Sequence, residues 1–227
     1  MTAREIFVEQ GSNEWLQLRC GFVTPSRFRT VVNGRPAGVN SYLKELRAGA
    51  PKNPNLSTPA LSWGKYHEPE ARAQYQLIHL AGNMERVRAA GFFVRCDLPR
   101  VGGSPDALVV DWCDELLGGV EFKCPYNPLV HEKTLRYGMP DDHKFQVQGY
   151  MWLLNLEWWD FVSYDPRAEL PKRIFVQRIL RDWTFSDRID QRVRWFHDLL
   201  VSGGSVEEGA SIEDALLNGA MKPPKFF

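Results

Sequence analysis

At 227 residues the chain is long enough to bury a sizeable core without covalent staples. Its 44% hydrophobic and 25% charged residues are ordinary for a globular protein, and no apolar run or charged-apolar-small leader suggests a membrane span or signal peptide. Cys20, Cys96, Cys113 and Cys124 are scattered without C-x-x-C spacing, which favours free thiols in a reducing compartment, the cytoplasm by default.

The formal net charge is zero, but the charges are unevenly placed. Arg19, Arg27, Arg29, Arg35, Lys44, Arg47 and Lys52 face only Glu45 in their segment, while Glu207, Glu208, Glu213 and Asp214 stand in a tail without bases. Such a basic lobe suits a local phosphate-binding surface on a neutral molecule, and equally a solvated helical face.

In chain order, Ser12-Asn13-Glu14 can cap a short helix through Leu18, and Ser57-Thr58 can start another near Trp63. Gly34 to Gly38 and Ala48 to Pro54 read as loops. Pro69 lacks the N–H that a continuing helix needs, so a fresh helix start is expected there, with Glu68 near its cap. The period then changes. Phe92-Phe93-Val94, Arg100-Val101-Gly102, Ala107 to Val110 and Leu116 to Lys123 read as strands, the last ended by Pro125.

Helices are expected over Pro128 to Arg136 and Asp142 to Leu154, then strands over Trp158 to Tyr164 and Arg173 to Ile179. A last helix, about Ser186 to Leu200, carries Ile189, Val193, Phe196 and Leu200 at helical spacing. The expectation is one α/β domain: a basic helical lobe (about 1–85), a catalytic core on a central mixed sheet flanked by helices (about 86–180), and C-terminal helices (about 181–227).

Chemistry concentrates in Ser104-Pro105-Asp106 and Glu121-Phe122-Lys123. Asp106 follows a proline at a bend before a strand, and Glu121 and Lys123 share one face of theirs while Phe122 takes the other. Two carboxylates and an amine converging on one point can bind a hard divalent cation and activate a water beside it. An in-sheet Glu–Lys pair with an unrelated turn Asp remains the alternative. The five histidines show no metal-ligand spacing, and Gly102-Gly103-Ser104 lacks the Lys and helix of a phosphate loop, so ATP dependence is not indicated.

Six ordered segments carry a family resemblance: Trp15 to Arg19 with Thr24-Pro25-Ser26; Leu61 to Lys65 with Glu68; Ser104-Pro105-Asp106; Glu121 to Pro125; Gln146-Val147-Gln148 with Met151-Trp152; and Tyr164 to Arg167. Together they resemble the phage lambda exonuclease (YqaJ-type viral recombinase) family, within the restriction-endonuclease-like PD-(D/E)XK superfamily. The resemblance implies a restriction-endonuclease-like fold. It also implies a Mg²⁺-dependent 5′-to-3′ exonuclease that degrades the 5′-phosphorylated strand of duplex DNA to mononucleotides and leaves a 3′ single strand for annealing-based recombination.

Carried over by residue, Asp106 and Glu121 would hold Mg²⁺ with the Phe122 carbonyl, and Glu68 would join Asp106 around a second ion, Mn²⁺ being a possible substitute. Lys123 would position the attacking water, assisted by Gln148, which the resemblance favours over Gln146. Arg19, Ser26 and Ser104 would receive the terminal 5′-phosphate, and Leu61 would be a strand-separating wedge. The implied partners are DNA ends, two further copies in a toroidal homotrimer, and a single-strand annealing protein. An endonuclease with the same metal site, or an inactive DNA-end-binding protein, are the other readings. The four scattered cysteines do not supply the grouped set of an iron–sulfur nuclease.

Overall fold

The computed structural model describes residues 2–50, 58–80, 82 and 84–207. Lys52, Glu208, Glu213 and Asp214, and with them most of the acidic tail, lie outside the described residues.

The capping signals act as their chemistry requires. The Ser12 side chain accepts from the Trp15 amide to start α1 (Asn13–Arg19), and Thr58 accepts from the Leu61 amide to start α4 (Pro59–Tyr75). Between them lie α2 (Phe28–Asn33) and α3 (Pro36–Ala48). The expected Gly34–Gly38 loop is therefore shorter: Pro36 occupies the first turn of α3, where its missing N–H would be unpaired in any case.

Helix α4 also corrects the expectation of a break at Pro69. It runs unbroken through that residue. One internal hydrogen bond is lost, at a cost of about 3 kcal/mol. The Thr58 cap on one side and buried Ala71 and Tyr75 on the other hold the helix together. Glu68 is consequently not a cap but a side chain in mid-helix.

The sheet has strand order β2 (Arg86–Arg88), β5 (Ala107–Val110), β6 (Leu116–Lys123), β7 (Trp158–Tyr164), β8 (Ile174–Leu180). Only β6 and β7 run parallel. A parallel pair needs a long crossover, here α5 (Pro128–Tyr137) and α6 (Lys144–Leu154). A smaller antiparallel sheet joins β1 (Ala3–Ile6), β3 (Phe92–Arg95) and β4 (Gly102–Gly103), and α7 (Trp183–Ser202) closes the fold. Strands β1 and β2 were not anticipated: each is short and charged, with no clear alternation to betray it.

The alternation along the central strands sorts side chains into two cores. Ala107, Val109, Val120, Phe122, Val162 and Tyr164 pack on Ala71 and Tyr75 of α4. Leu108 and Trp159 face the other way, with Val147 and Met151 of α6 and Val193 and Phe196 of α7. Gly119 makes this close packing possible, since a Cβ there would overlap the Trp159 ring. On the α4 side, the Tyr75 hydroxyl donates to Asp160 Oδ2 at 2.6 Å and the Arg178 fork donates to both Asp160 oxygens at 2.9 Å, tying the C-terminal half of α4 to β7 and β8. Among the described residues, no helix is long and apolar enough to cross a membrane.

Candidate active site

The alternation that buries Val120 and Phe122 against α4 turns Glu121 toward α6. Glu121 is fully buried; its Oε1 accepts from the Lys123 ammonium and from Gln146 Nε2 at 2.6 Å. Its Oε2 is buried without a hydrogen-bond partner. A buried carboxylate oxygen with no donor is costly unless something cationic meets it.

Asp106 lies at the bend before β5, and its Oδ2 accepts from the Phe122 amide at 2.9 Å. Glu68 reaches the same place from α4. The Arg72 guanidinium, one turn further along that helix, donates to Glu68 Oε1 at 3.2 Å and to the Asp106 carbonyl at 2.8 Å.

The electrostatics follow from this crowding. Burial, then the neighbouring Asp106 carboxylate, push Glu121 up to about 7 despite Lys123 beside it. Glu68 is raised by the same two causes in the same order, opposed by Arg72. Burial works against the Lys123 ammonium, but Glu121 and Asp106 outweigh it and hold its pKa above that of an ordinary lysine. The three carboxylates thus repel one another through a poorly solvated space. Among the described residues no three His, Cys, Asp or Glu side chains are gathered, as they stand, into a group that could hold a metal ion; Lys123, Gln146, Arg72 and the Phe122 amide occupy much of the carboxylate valence instead.

The orphaned Glu121 Oε2 and the all-oxygen character of the set, with the Phe122 carbonyl beside it in sequence, fit a hard divalent cation.

Gln148 is not at this site. Its Nε2 donates to the Leu180 carbonyl at 2.9 Å and its Oε1 accepts from the Asp182 amide at 3.0 Å, so it fastens α6 to the chain leaving β8. The two glutamines stand about 200° apart on the helix, and Gln146 is the one facing Glu121. Tyr150, one turn on from Gln146, lies on the same stripe of the helix, and its hydroxyl donates to the Ser104 carbonyl at 2.6 Å.

The second part of the site is a cleft of about 990 Å³ whose lining includes Arg19, Ser26, Leu61, Lys65, Glu68 and Arg72. Arg19 is held over the Trp15 ring, 5.0 Å from its centroid, and donates to Ser26 Oγ at 3.0 Å. Thr24 and Ser26 hydroxyls meet at 3.0 Å. Leu61, in the first turn of α4, is half exposed rather than core. Ser104 is buried, and its hydroxyl accepts from the Trp15 indole at 2.7 Å, which locks α1 to the bend carrying Asp106. Trp15 and Arg72 are the members that sequence reasoning missed. Trp15 stood only as the first residue of a resembling segment, with no role of its own, while Arg72 carried only the weak signal of an i,i+4 partner for Glu68.

Comparison with known proteins gives this geometry its family. The model of the YqaJ-like viral recombinase domain matches residues 14–157, which contain every residue named in the two parts of the site. The chain belongs to the YqaJ-like viral recombinase family. Within that family setting, the alkaline exonuclease LHK-Exo of Laribacter hongkongensis is 32% identical, with 85% of this chain and 94% of that one covered and a TM-score of 0.72. LHK-Exo in complex with dAMP matches at 31% identity, with the same coverage and TM-score. A phage-related exonuclease from Haemophilus somnus 129PT, at 18% identity and TM-score 0.55 over 80% of this chain and 96% of that one, shares the fold. No curated protein sequence matches the chain. This YqaJ-like recombinase chain is thus a homologue of a nuclease, and its mixed α/β fold is that of its exonuclease neighbours.

Proposed function

We propose that the protein is a divalent-metal-dependent exonuclease that enters duplex DNA at a 5′-phosphorylated end and removes nucleotides in the 5′-to-3′ direction. The observation that carries this reading is the single cleft that holds the Arg19–Ser26 pair and Glu68. A group able to grip a terminal phosphate and a carboxylate of the acidic centre share one enclosure, so an end bound at the first is delivered to the second. The solved relatives, an alkaline exonuclease and its complex with dAMP, support the same class of substrate.

Arg19 presents a planar fork suited to two phosphate oxygens, with Ser26 already hydrogen-bonded beside it. A terminal phosphate carries more charge than an internal diester, so this contact favours ends over continuous strands. Leu61, half exposed in the lining of the cleft, would offer an apolar edge to the terminal bases. Asp106, Glu121, Glu68 and the Phe122 carbonyl would hold Mg²⁺, two ions being the proposed complement. Bound there, the metal would supply Lewis-acid stabilisation of the phosphate and a lowered pKa for the attacking water.

The chain's own residues do the remaining work. Lys123, held cationic beside Glu121, can orient a water and balance the charge that develops on the phosphate oxygens. Gln146 holds the Oε1 side of the Glu121 carboxylate and leaves Oε2 without a donor, available to a cation. The products would be mononucleotides and a 3′-ended single strand, the substrate of an annealing partner. A toroidal homotrimer, a single 1–227 domain and a cytoplasmic setting complete the reading.

Strand-resolved digestion of a 5′-phosphorylated linear duplex in Mg²⁺ tests it. Loss of label from the 5′-phosphorylated strand, with closed circles untouched, is the expected result. Degradation from the 3′ end, or cutting of covalently closed circles, would overturn it.

A further inference from the structure

Arg72 connects all the parts of the acidic centre, although it neither bears a carboxylate nor stands in the cutting motif. Its side chain is mostly buried. One guanidinium nitrogen donates both to Glu68 Oε1 at 3.2 Å and to the Asp106 backbone carbonyl at 2.8 Å, across 34 residues of sequence. The same guanidinium lies 5.8 Å from the centroid of Phe122, whose amide holds the Asp106 carboxylate at 2.9 Å. Asp106 is therefore gripped twice, at its carbonyl by Arg72 and at its carboxylate by the strand.

An exposed i,i+4 Glu–Arg pair on a helix contributes only about 0.3–0.5 kcal/mol and orders nothing beyond itself. Arg72 differs because its second hydrogen bond leaves the helix. It joins α4, which carries Glu68, to the bend that carries Asp106, and its ring contact reaches the strand that carries Glu121 and Lys123. The planar guanidinium makes this possible: it donates in two directions while its face lies toward a ring, whereas an ammonium is a point charge on a flexible stem.

We propose that Arg72 is the positioning residue that sets the spacing and orientation of Glu68 relative to Asp106, and so determines how tightly a divalent cation binds between them. Without it the two carboxylates face each other with no fixed register, and the Asp106 bend loses one of its two restraints. This inference rests on the metal-dependent reading above. It goes further by assigning the geometry of the Glu68 side of the site to a residue that would act on the cation through the carboxylates it holds.

The test is calorimetric titration of Mn²⁺ into the full-length protein and its R72A and R72K variants in the absence of DNA. The expected result is a roughly 10- to 100-fold weaker binding step in R72A, the range seen when a partner that orients a metal ligand is removed. R72K, which keeps the charge but not the fork, should fall between. With DNA and saturating Mn²⁺, R72A should lower kcat, and R72K should recover part of the loss. Thermal melting of the metal-free variants identifies any global loss of structure, and R72K keeps the measurement interpretable if R72A folds poorly. Wild-type affinity in both variants, or tighter binding in R72A, would overturn the proposal; tighter binding would make Arg72 a competitor for Glu68. A wild-type protein that binds no Mn²⁺ would instead remove the metal-dependent reading itself.

Discussion

Replacing Glu121 by glutamine should stabilise the metal-free protein, and by an amount that depends on pH. Glutamine keeps the shape of a protonated glutamate, so the variant reports the cost of ionising that one buried group. Burial and Asp106 raise the carboxyl from its ordinary value of 4.5 to about 7 in the folded chain. The sign follows directly. A folded-state pKa above the unfolded value favours folding in full at pH below 4.5, and that contribution disappears as pH rises through 7.

At pH 8 the wild type carries nearly the whole penalty, about 3 kcal/mol at roughly 1.36 kcal/mol per unit, whereas at pH 5 it carries under about 1 kcal/mol. Urea unfolding in EDTA, at one protein concentration and at both pH values, should therefore show E121Q ahead by about 3 kcal/mol at pH 8 and by much less at pH 5. Saturating Mg²⁺ should narrow or reverse the difference, because the wild type gains more binding free energy in its native state than a variant missing one carboxylate. E121Q that is less stable than wild type at pH 8 in EDTA, or a pH-independent difference, would refute this electrostatic account of the site.

Arg19→Ala should abolish the preference for 5′-phosphorylated over 5′-hydroxyl duplexes and lower kcat/KM on the former by at least about tenfold, equivalent to one charge-assisted hydrogen bond; an unchanged preference in a two-substrate competition would remove Arg19 from the end pocket. Gln146→Ala and Gln148→Ala should separate cleanly. The first should reduce turnover with little change in melting temperature. The second should cost about 1–3 kcal/mol of stability, because it leaves the Leu180 carbonyl and Asp182 amide without their partners. Gly119→Ala should destabilise by about 1–3 kcal/mol, since its Cβ collides with the buried Trp159 ring, and circular dichroism melts would show it.

The fold was readable wherever a pattern was long or a signal local. Val120, Glu121 and Phe122 alternate around a buried pleat, and Ser12 and Thr58 cap helices with their own side chains. What escaped was decided by contacts distant in sequence. Strand β1 exists because β3 offers it an edge, and nothing within Ala3–Ile6 announces that. Pro69 argued for a break, but the packing of Ala71 and Tyr75 outweighs one missing hydrogen bond. In the site, Asp106, Glu121 and Lys123 were legible as a spaced motif, yet the choice between Gln146 and Gln148 was not. Helix α6 is buried nearly all round, so its periodicity does not distinguish the face toward Glu121 from the face toward β8. Arg72 was invisible because its decisive partner is a backbone carbonyl 34 residues away.

The indole of Trp15 donating to Ser104 has the character of a ruler. It joins the helix that carries Arg19 to the loop that presents Asp106, so, on the proposed reading, the protein itself sets the reach between end pocket and acidic centre. On the proposed reading, the length of the piece removed at each step is then a property of this hydrogen bond and its two elements. A Trp15→Phe chain, with the strut cut but an aromatic ring kept, should release fragments of mixed length, a result that a sizing gel would read directly.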